Sequence, residues 1–211
     1  MKKILIATHN SAKLEEIKIG LKELVNQGVK LLRLTDVGVE KQPKETGKTF
    51  RENAEIKARF YAKLTNLPTI SDDGGLVIPY LGGGPGVKSR RWLGYEVSDQ
   101  ELIDYTLFNL RGCPGKKRTA FLETCVTFYL PKSHTGSEVS EVILFEQERV
   151  KGYIAEKPTG RPTNGYPFRG LFIVDKFNKY YDELTAEEHE KINHRLKALK
   201  RLTKRIKDLL R

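Results

Sequence analysis

Cysteine is nearly absent from this chain of 211 residues: Cys113 and Cys125 are the only two, and their spacing is not that of metal ligands. That scarcity excludes a cysteine-built zinc site and a disulfide framework, and it points to reduced, packed thiols in a cytoplasmic protein. Long apolar runs are missing too. None approaches the roughly 20 residues that a membrane-spanning helix needs. The opening Met1-Lys2-Lys3-Ile4-Leu5-Ile6-Ala7 is basic and then apolar, but the apolar part is shorter than a signal peptide requires. No internal repeat and no linker between independent domains is visible.

Hydrophobic residues make up 38% and charged residues 31% of the chain, the composition of a soluble globular protein. The length suffices for one well-buried domain, including an elongated one with two lobes. The formal charge is +11, but nine Lys/Arg and one Asp between Lys191 and Arg211 supply +8 of it, which leaves +3 elsewhere. A basic segment suits nucleic acid, an acidic membrane surface or a polyanionic small substrate, and charge alone does not choose among them.

The periodicities predict an α/β fold. Lys3 to Thr8 reads as a strand, 11–25 as a helix and 29–34 as a second strand, which makes a βαβ opening. Three capping-box patterns, Thr49 to Glu52, Ser98 to Glu101 and Thr185 to Glu188, predict helices over 50–65, 99–111 and 186–209. Residues 118–130 and 139–154 are rich in β-formers and read as long antiparallel strands joined near Gly136-Ser137. In the last helix, Leu196, Leu199, Leu202, Ile206 and Leu209-Leu210 form an apolar stripe faced by Lys and Arg, as in a docked amphipathic helix.

Several short segments could carry chemistry. Asp72-Asp73-Gly74-Gly75 follows a short apolar run, so a strand is expected to end in two carboxylates and glycines. Successive strand residues face opposite sides, and therefore only one of the two aspartates can point into a given site. The glycines allow another backbone or a ligand to come close. Thr8-His9-Asn10-Ser11-Ala12-Lys13 joins the first strand to the first helix, where free backbone N–H groups and the helix dipole attract phosphate. Asn53 and Lys57 share one helix face beside the apolar stripe of Phe50, Ala54, Ala58 and Tyr61. Lys57 then lies at the margin of the core, from which a long side chain can reach into a cleft. Gly47-Lys48-Thr49 imitates the end of a P-loop, but Gln42 stands where that motif needs glycine, which rules out an ATPase of that type.

The order of these segments carries more than any one of them. Thr8 to Lys13, Glu45 to Ala58, Asp72 to Leu76, Gly84 to Arg90 and Glu183 to Leu199 together resemble the inosine triphosphate pyrophosphatase family, enzymes that remove non-canonical purine nucleotides (XTP/dITP diphosphatases). The resemblance covers nearly the whole chain up to about Leu202. It implies an elongated mixed α/β fold with two lobes around a central cleft, one nucleotide pyrophosphatase domain over 1–211, and a homodimer. It further implies Mg²⁺-dependent hydrolysis of ITP, dITP or XTP to the monophosphate and pyrophosphate. Carried over by residue, Thr8, Asn10, Ser11 and Lys13 would hold the triphosphate, Lys57 would neutralise it, and Asn53 would line the same site. Glu45 and Asp73 would bind Mg²⁺, with Asp73 also the candidate base. His194 and Arg195 would contact the purine and its 6-keto oxygen, and Ser89 belongs to a further substrate-contacting block.

The chain departs from the family pattern at three places. Gly74 stands where a serine is usual. The base-binding loop reads Asn164-Gly165-Tyr166-Pro167-Phe168, without the first aromatic and the aspartate, which leaves Tyr166 or Phe168 to stack on the base. His189 replaces a lysine, with Lys191 as a candidate substitute. All three concern nucleotide recognition. Two alternatives therefore stay open: a pyrophosphatase acting on another modified or a standard nucleoside triphosphate, and a basic nucleic-acid-binding protein.

Overall fold

In a computed structural model of the protein, which describes residues 2–132 and 141–210 (without the side chain of Leu210), the chain forms β1 (Lys3–Ala7), α1 (Ser11–Gly20), α2 (Lys22–Asn26), β2 (Lys30–Arg33), α3 (Phe50–Thr65), β3 (Thr69–Val77) and α4 (Asp99–Asn109). It continues with β4 (Thr119–Leu130), β5 (Val142–Ile154), β6 (Phe172–Val174), β7 (Lys179–Tyr180), α5 (Ala186–Ile192) and α6 (His194–Leu210). The sheet is seven-stranded with the order β2-β1-β3-β4-β5-β6-β7. It is mixed: β1 pairs in parallel with β2 and β3, while β6 pairs antiparallel with β5 and β7. The predicted α/β class with flanking helices is what the fold shows.

The chain divides into two compact units, one of Met1–Asp73, Thr124–Glu148 and Arg195–Arg211, the other of Gly74–Glu123 and Arg149–His194. In the first unit the pleat of β1 sorts its residues between two cores. Ile4 and Ile6 join Ile17, Leu21 and Leu24 of the first helices, Ile70 of β3, and Ala198, Leu199, Leu202 and Ile206 of α6. Leu5 and Ala7 turn the other way, to Tyr61 of α3 and Leu34. Each fully buried aliphatic side chain of this kind contributes about 1.5–3 kcal/mol. Gly20 is where α1 meets α6: a Cβ there would stand 2.6 Å from the Cβ of Leu199. In the second unit Leu76, Ile78, Leu102, Leu110, Ala120, Ile154, Leu171 and Phe172 are fully buried in one core. Arg118 is buried beside it and donates to the carbonyls of Leu110, Ile154 and Ala155.

Several boundaries differ from expectation. The helix read over 11–25 breaks at Leu21, and that over 186–209 breaks at Asn193, whose backbone is extended enough (ψ 105°) to stop α5 and start α6. The predicted boxes at Ser98 and Thr185 form completely. At Thr49 only half forms: its side chain accepts from Glu52 N–H, but the Glu52 carboxylate accepts from Lys48 N–H instead. β3 does not end at the aspartates; it runs on through Gly74 and Gly75 to Val77. The Gly136-Ser137 turn and the start of the strand read over 139–154 lie outside the described residues. Both cysteines are free and buried, and among the described residues no helix is long and apolar enough to cross a membrane. Three cations of the basic face of α6 are paired: Arg201 on Glu146 and Glu148, Arg205 on Glu146, and Lys207 on Glu23.

Candidate active site

The strand order makes a place for a ligand before any side chain is considered. β1 lies between β2 and β3, parallel to both, so the chain leaves the carboxyl end of β1 toward β2 and reaches β3 on the other side. Ligands of open α/β sheets bind at such a switch point, beyond the carboxyl ends of the diverging strands. The last register pair is Ala7 with Ser71. Thr8 follows the end of β1, and Asp72 is the next residue of β3.

Past that point the pleat separates the two aspartates. Ser71 and Asp73 face α3: the Ser71 hydroxyl donates to Ala54 O at 2.6 Å, and both oxygens of Asp73 meet α3 side chains. Asn53 Nδ2 donates to Asp73 Oδ2 at 3.1 Å, and Lys57 Nζ lies 3.4 Å from Oδ1. One helical turn separates these donors, which is why Asn53 and Lys57 reach one carboxylate. Glu45 comes to the same ammonium, with Oε1 at 3.4 Å from Lys57 Nζ. Burial works against the charge of Lys57, but Asp73, Glu45 and Asp72 outweigh it and hold its pKa above the ordinary lysine value. Gly47 completes this side. Its N–H donates to Asn53 Oδ1 at 2.8 Å, which turns the amide NH₂ toward Asp73, and a Cβ at Gly47 would stand 2.6 Å from that oxygen.

Asp72 faces the opposite side, with α1 and α6. It is 1% exposed, and its Oδ2 lies 3.1 Å from both Lys13 Nζ and Arg195 Nε. Arg195 also pairs through Nη1 with Glu16. Burial alone would raise the Asp72 pKa, but Lys13, Arg195 and Lys57 override it and hold the carboxyl well below the usual carboxylate range. Lys13 and Arg195, both expected to meet the nucleotide, thus share one buried carboxylate.

At the helix start, Asn10 is the N-cap of α1 and its side chain accepts from Lys13 N–H at 3.0 Å. Thr8 Oγ1 accepts from Asn10 N–H at 3.2 Å, and Ser11 is exposed. This is the geometry of a phosphate-attracting helix end, with Thr8, Asn10, Ser11 and Lys13 on one short loop.

The remaining candidates belong to the second unit. Gly74 and Gly75 are in β3, and Gly75 explains the close approach there: a Cβ would stand 2.1 Å from Ser89 Oγ. That hydroxyl donates to Gly86 O and accepts from Leu76 N–H. Tyr166 is half-buried with the Arg169 guanidinium 3.6 Å from its ring centroid. Phe168 is 7% exposed in the core, which removes it as a stacking partner for a base. His189 meets the edge of Tyr181, and Lys191, the candidate substitute for the missing lysine, is engaged with Glu187 at 2.6 Å on the surface. His194 is buried at the first position of α6.

No group of three or more His, Cys, Asp or Glu side chains converges among the described residues. On the α3 side Glu45 and Asp73 meet at a common cation, both at 3.4 Å from Lys57. Two hard oxygen donors beside open backbone suit Mg²⁺, which is usually bound by one or two carboxylates together with waters and substrate phosphates.

Two participants escaped the sequence reading. Glu16 is buried and shares the inward helical phase of Lys13, Ile17, Gly20, Leu21 and Leu24. An acidic residue in that apolar phase was the available signal. In the sequence Gly47 reads as part of a false P-loop, but a glycine six residues before Asn53 also marks the backbone approach that orients the amide.

The chain is similar along nearly its whole length to known proteins. The chain matches the Ham1 family over residues 4–205. It is 40% identical over 204 residues to a dITP/XTP pyrophosphatase of Bacillus subtilis, covering 97% of this chain and 96% of that one. Among solved structures it is similar to a HAM1 protein from Coxiella burnetii, with TM-score 0.82, 33% identity and coverage of 99% and 100%. It is also similar to a nucleoside-triphosphatase, dITP/XTP pyrophosphatase, from Mycobacterium abscessus, with TM-score 0.73, 36% identity and coverage of 95% and 98%.

Proposed function

The chain belongs to the Ham1 family, and we propose that it hydrolyses non-standard purine nucleoside triphosphates (ITP, dITP and XTP) to the monophosphate and pyrophosphate. The observation that carries this reading is the Asp73 carboxylate, held by Asn53 and Lys57 with Glu45 beside it, one strand from a phosphate-attracting helix start. Relatives named dITP/XTP pyrophosphatase support the substrate class.

In this reading Thr8, Asn10, Ser11 and Lys13 bind the triphosphate, and Lys57 neutralises charge as the bond between the α- and β-phosphates breaks. Glu45 and Asp73 would hold Mg²⁺, whose chemistry is to neutralise phosphate oxygens and favour ionisation of water. Asp73 orients the attacking water and accepts its proton. Arg195 and His194 donate to the 6-keto oxygen, so a 6-amino purine would leave buried donors unpaired and be rejected. Tyr166 stacks on the base, with Asn53, Gly74, Ser89 and His189 completing the substrate contacts. The protein acts as a cytoplasmic homodimer.

A panel assay tests the proposal. Pyrophosphate release with Mg²⁺ is expected from ITP and XTP in preference to GTP and ATP, and it should vanish in Asp73→Asn and Glu45→Gln. A wild-type protein that releases no pyrophosphate from any nucleoside triphosphate would overturn the activity. A preference for GTP or ATP would overturn the substrate class.

A further inference from the structure

We propose that Asp72 is a positioning residue, which holds the Lys13 ammonium and the Arg195 guanidinium in the orientations in which they meet the nucleotide. The inference rests on the reading of the site given above and concerns a residue to which that reading gives no role.

Asp72 is the neighbour of the proposed metal ligand Asp73, but strand alternation turns it away from the side that Asp73 faces. Its surroundings bear this out. The pleat turns it to the α1 and α6 side of β3, whereas Glu45 and Asp73 meet on the α3 side. One oxygen, Oδ2, serves both cations at 3.1 Å. The other, Oδ1, is buried and has no hydrogen-bond partner among the described residues. The two cations are thus its direct partners.

The cluster is also balanced. Asp72 and Glu16 are negative, Lys13 and Arg195 positive, and Glu16 grips the end of the guanidinium away from the Asp72 contact. Two contacts at different nitrogens fix the plane of Arg195, and a planar fork recognises a carbonyl oxygen only when its plane is set. Lys13 needs the restraint more. Its flexible four-carbon stem can place the ammonium in many positions, and its side chain is 18% exposed. The salt bridge to a buried carboxylate, on a strand rather than a loop, selects one of them. Asp72 therefore joins the residue proposed to grip phosphate to the residue proposed to read the base.

Equilibrium binding without turnover tests this. Calorimetry in metal-free buffer would measure tripolyphosphate and ITP against the wild type, Asp72→Asn, Lys13→Ala and the double variant. Asp72→Asn should weaken both ligands by about ten-fold. If it acts through Lys13, the double variant should bind tripolyphosphate within about two-fold of Lys13→Ala alone. The Mg²⁺ concentration for half-maximal activity should be unchanged in Asp72→Asn. A raised Mg²⁺ requirement would make Asp72 a metal ligand and overturn the proposal, as would unchanged affinities or fully additive effects. If Asp72→Asn does not fold, Asp72→Glu, which keeps the charge and moves it by one methylene, enters the same cycle with the same expected and overturning outcomes. A wild type that binds both ligands but releases no pyrophosphate defeats the parent reading alone. A wild type that hydrolyses ITP while Asp72→Asn binds like it defeats only the positioning role. Failure of the wild type to bind either ligand defeats the positioning role, and the parent reading falls with it when the Mg²⁺ assay also shows no pyrophosphate release.

Discussion

The ammonium of Lys57 stands 3.4 Å from Asp73 Oδ1 and at the same distance from Glu45 Oε1. One cation therefore gathers the two carboxylates proposed for the metal, and α3 supplies both that cation and, one turn earlier, the Asn53 donor that fixes the other oxygen of Asp73. The rigidity of this arrangement comes from the helix: Phe50, Ala54, Ala58 and Tyr61, its apolar stripe, are all buried.

In the proposed site Asn53 donates to Asp73 and would orient it, so Asn53→Ala should lower kcat/KM for ITP by about 10–100-fold while the protein stays folded. Gly47→Ala should fall in the same direction, because its Cβ would meet the Asn53 oxygen and backbone N within 2.9 Å. Steady-state kinetics with a circular dichroism check decide the matter; wild-type kcat/KM in both variants would show that the amide has no such role.

Acid should release the clamp between α6 and β5. Glu146, paired with Arg201 and Arg205, has a pKa below the usual 4.5, because these two hydrogen-bonded cations outweigh the opposing effect of burial. A depressed folded-state pKa contributes stability that is present above 4.5 and is lost as pH falls through the folded value. The difference in urea midpoint between wild type and Glu146→Gln should thus be present at about pH 6 and shrink below about pH 4. A difference that stays constant across that range would contradict it.

Cys125 should be inert in the folded protein. Burial is the main cause that pushes its thiol up to about 12, so at about pH 8 only roughly one molecule in ten thousand carries the reactive thiolate. A disulfide reagent should modify Cys125 on unfolding and leave it untouched in native buffer, with peptide mapping to separate it from Cys113. Rapid native labelling at Cys125 would refute the burial argument.

Gly20→Ala should destabilise, although alanine is intrinsically the better helix former by about 1 kcal/mol. The new Cβ would stand 2.6 Å from Leu199 Cβ, an atom close to the α6 backbone that cannot swing away. Overpacking of this kind costs about 1–3 kcal/mol, and each net kcal/mol lowers Tm by about 2–4 °C in a domain of this size. An unchanged or raised Tm would mean that α1 and α6 separate freely.

Features that repeat locally along the backbone are legible in the chain before any fold is known. The α3 stripe, the N-caps at Thr49, Ser98 and Thr185, and the βαβ opening follow from periods of 3.6 and 2 and from capping chemistry, and they are where the sequence places them. The same period of 2 foretold that Asp72 and Asp73 face apart. The sequence could not say what each would face. That depended on β1 being sandwiched between β2 and β3, which assigns α3 to one side and α1 with α6 to the other. Only the tertiary structure brought Arg195 to Glu16 across 179 residues of chain and to Asp72 across 123, broke the last helix at Asn193, and carried β3 through Gly74 and Gly75, where the missing Cβ at Gly75 admits Ser89. Local propensity fixes a residue's direction within its own element. Its partner is fixed by which apolar faces can be buried together, and no short stretch of sequence contains that information.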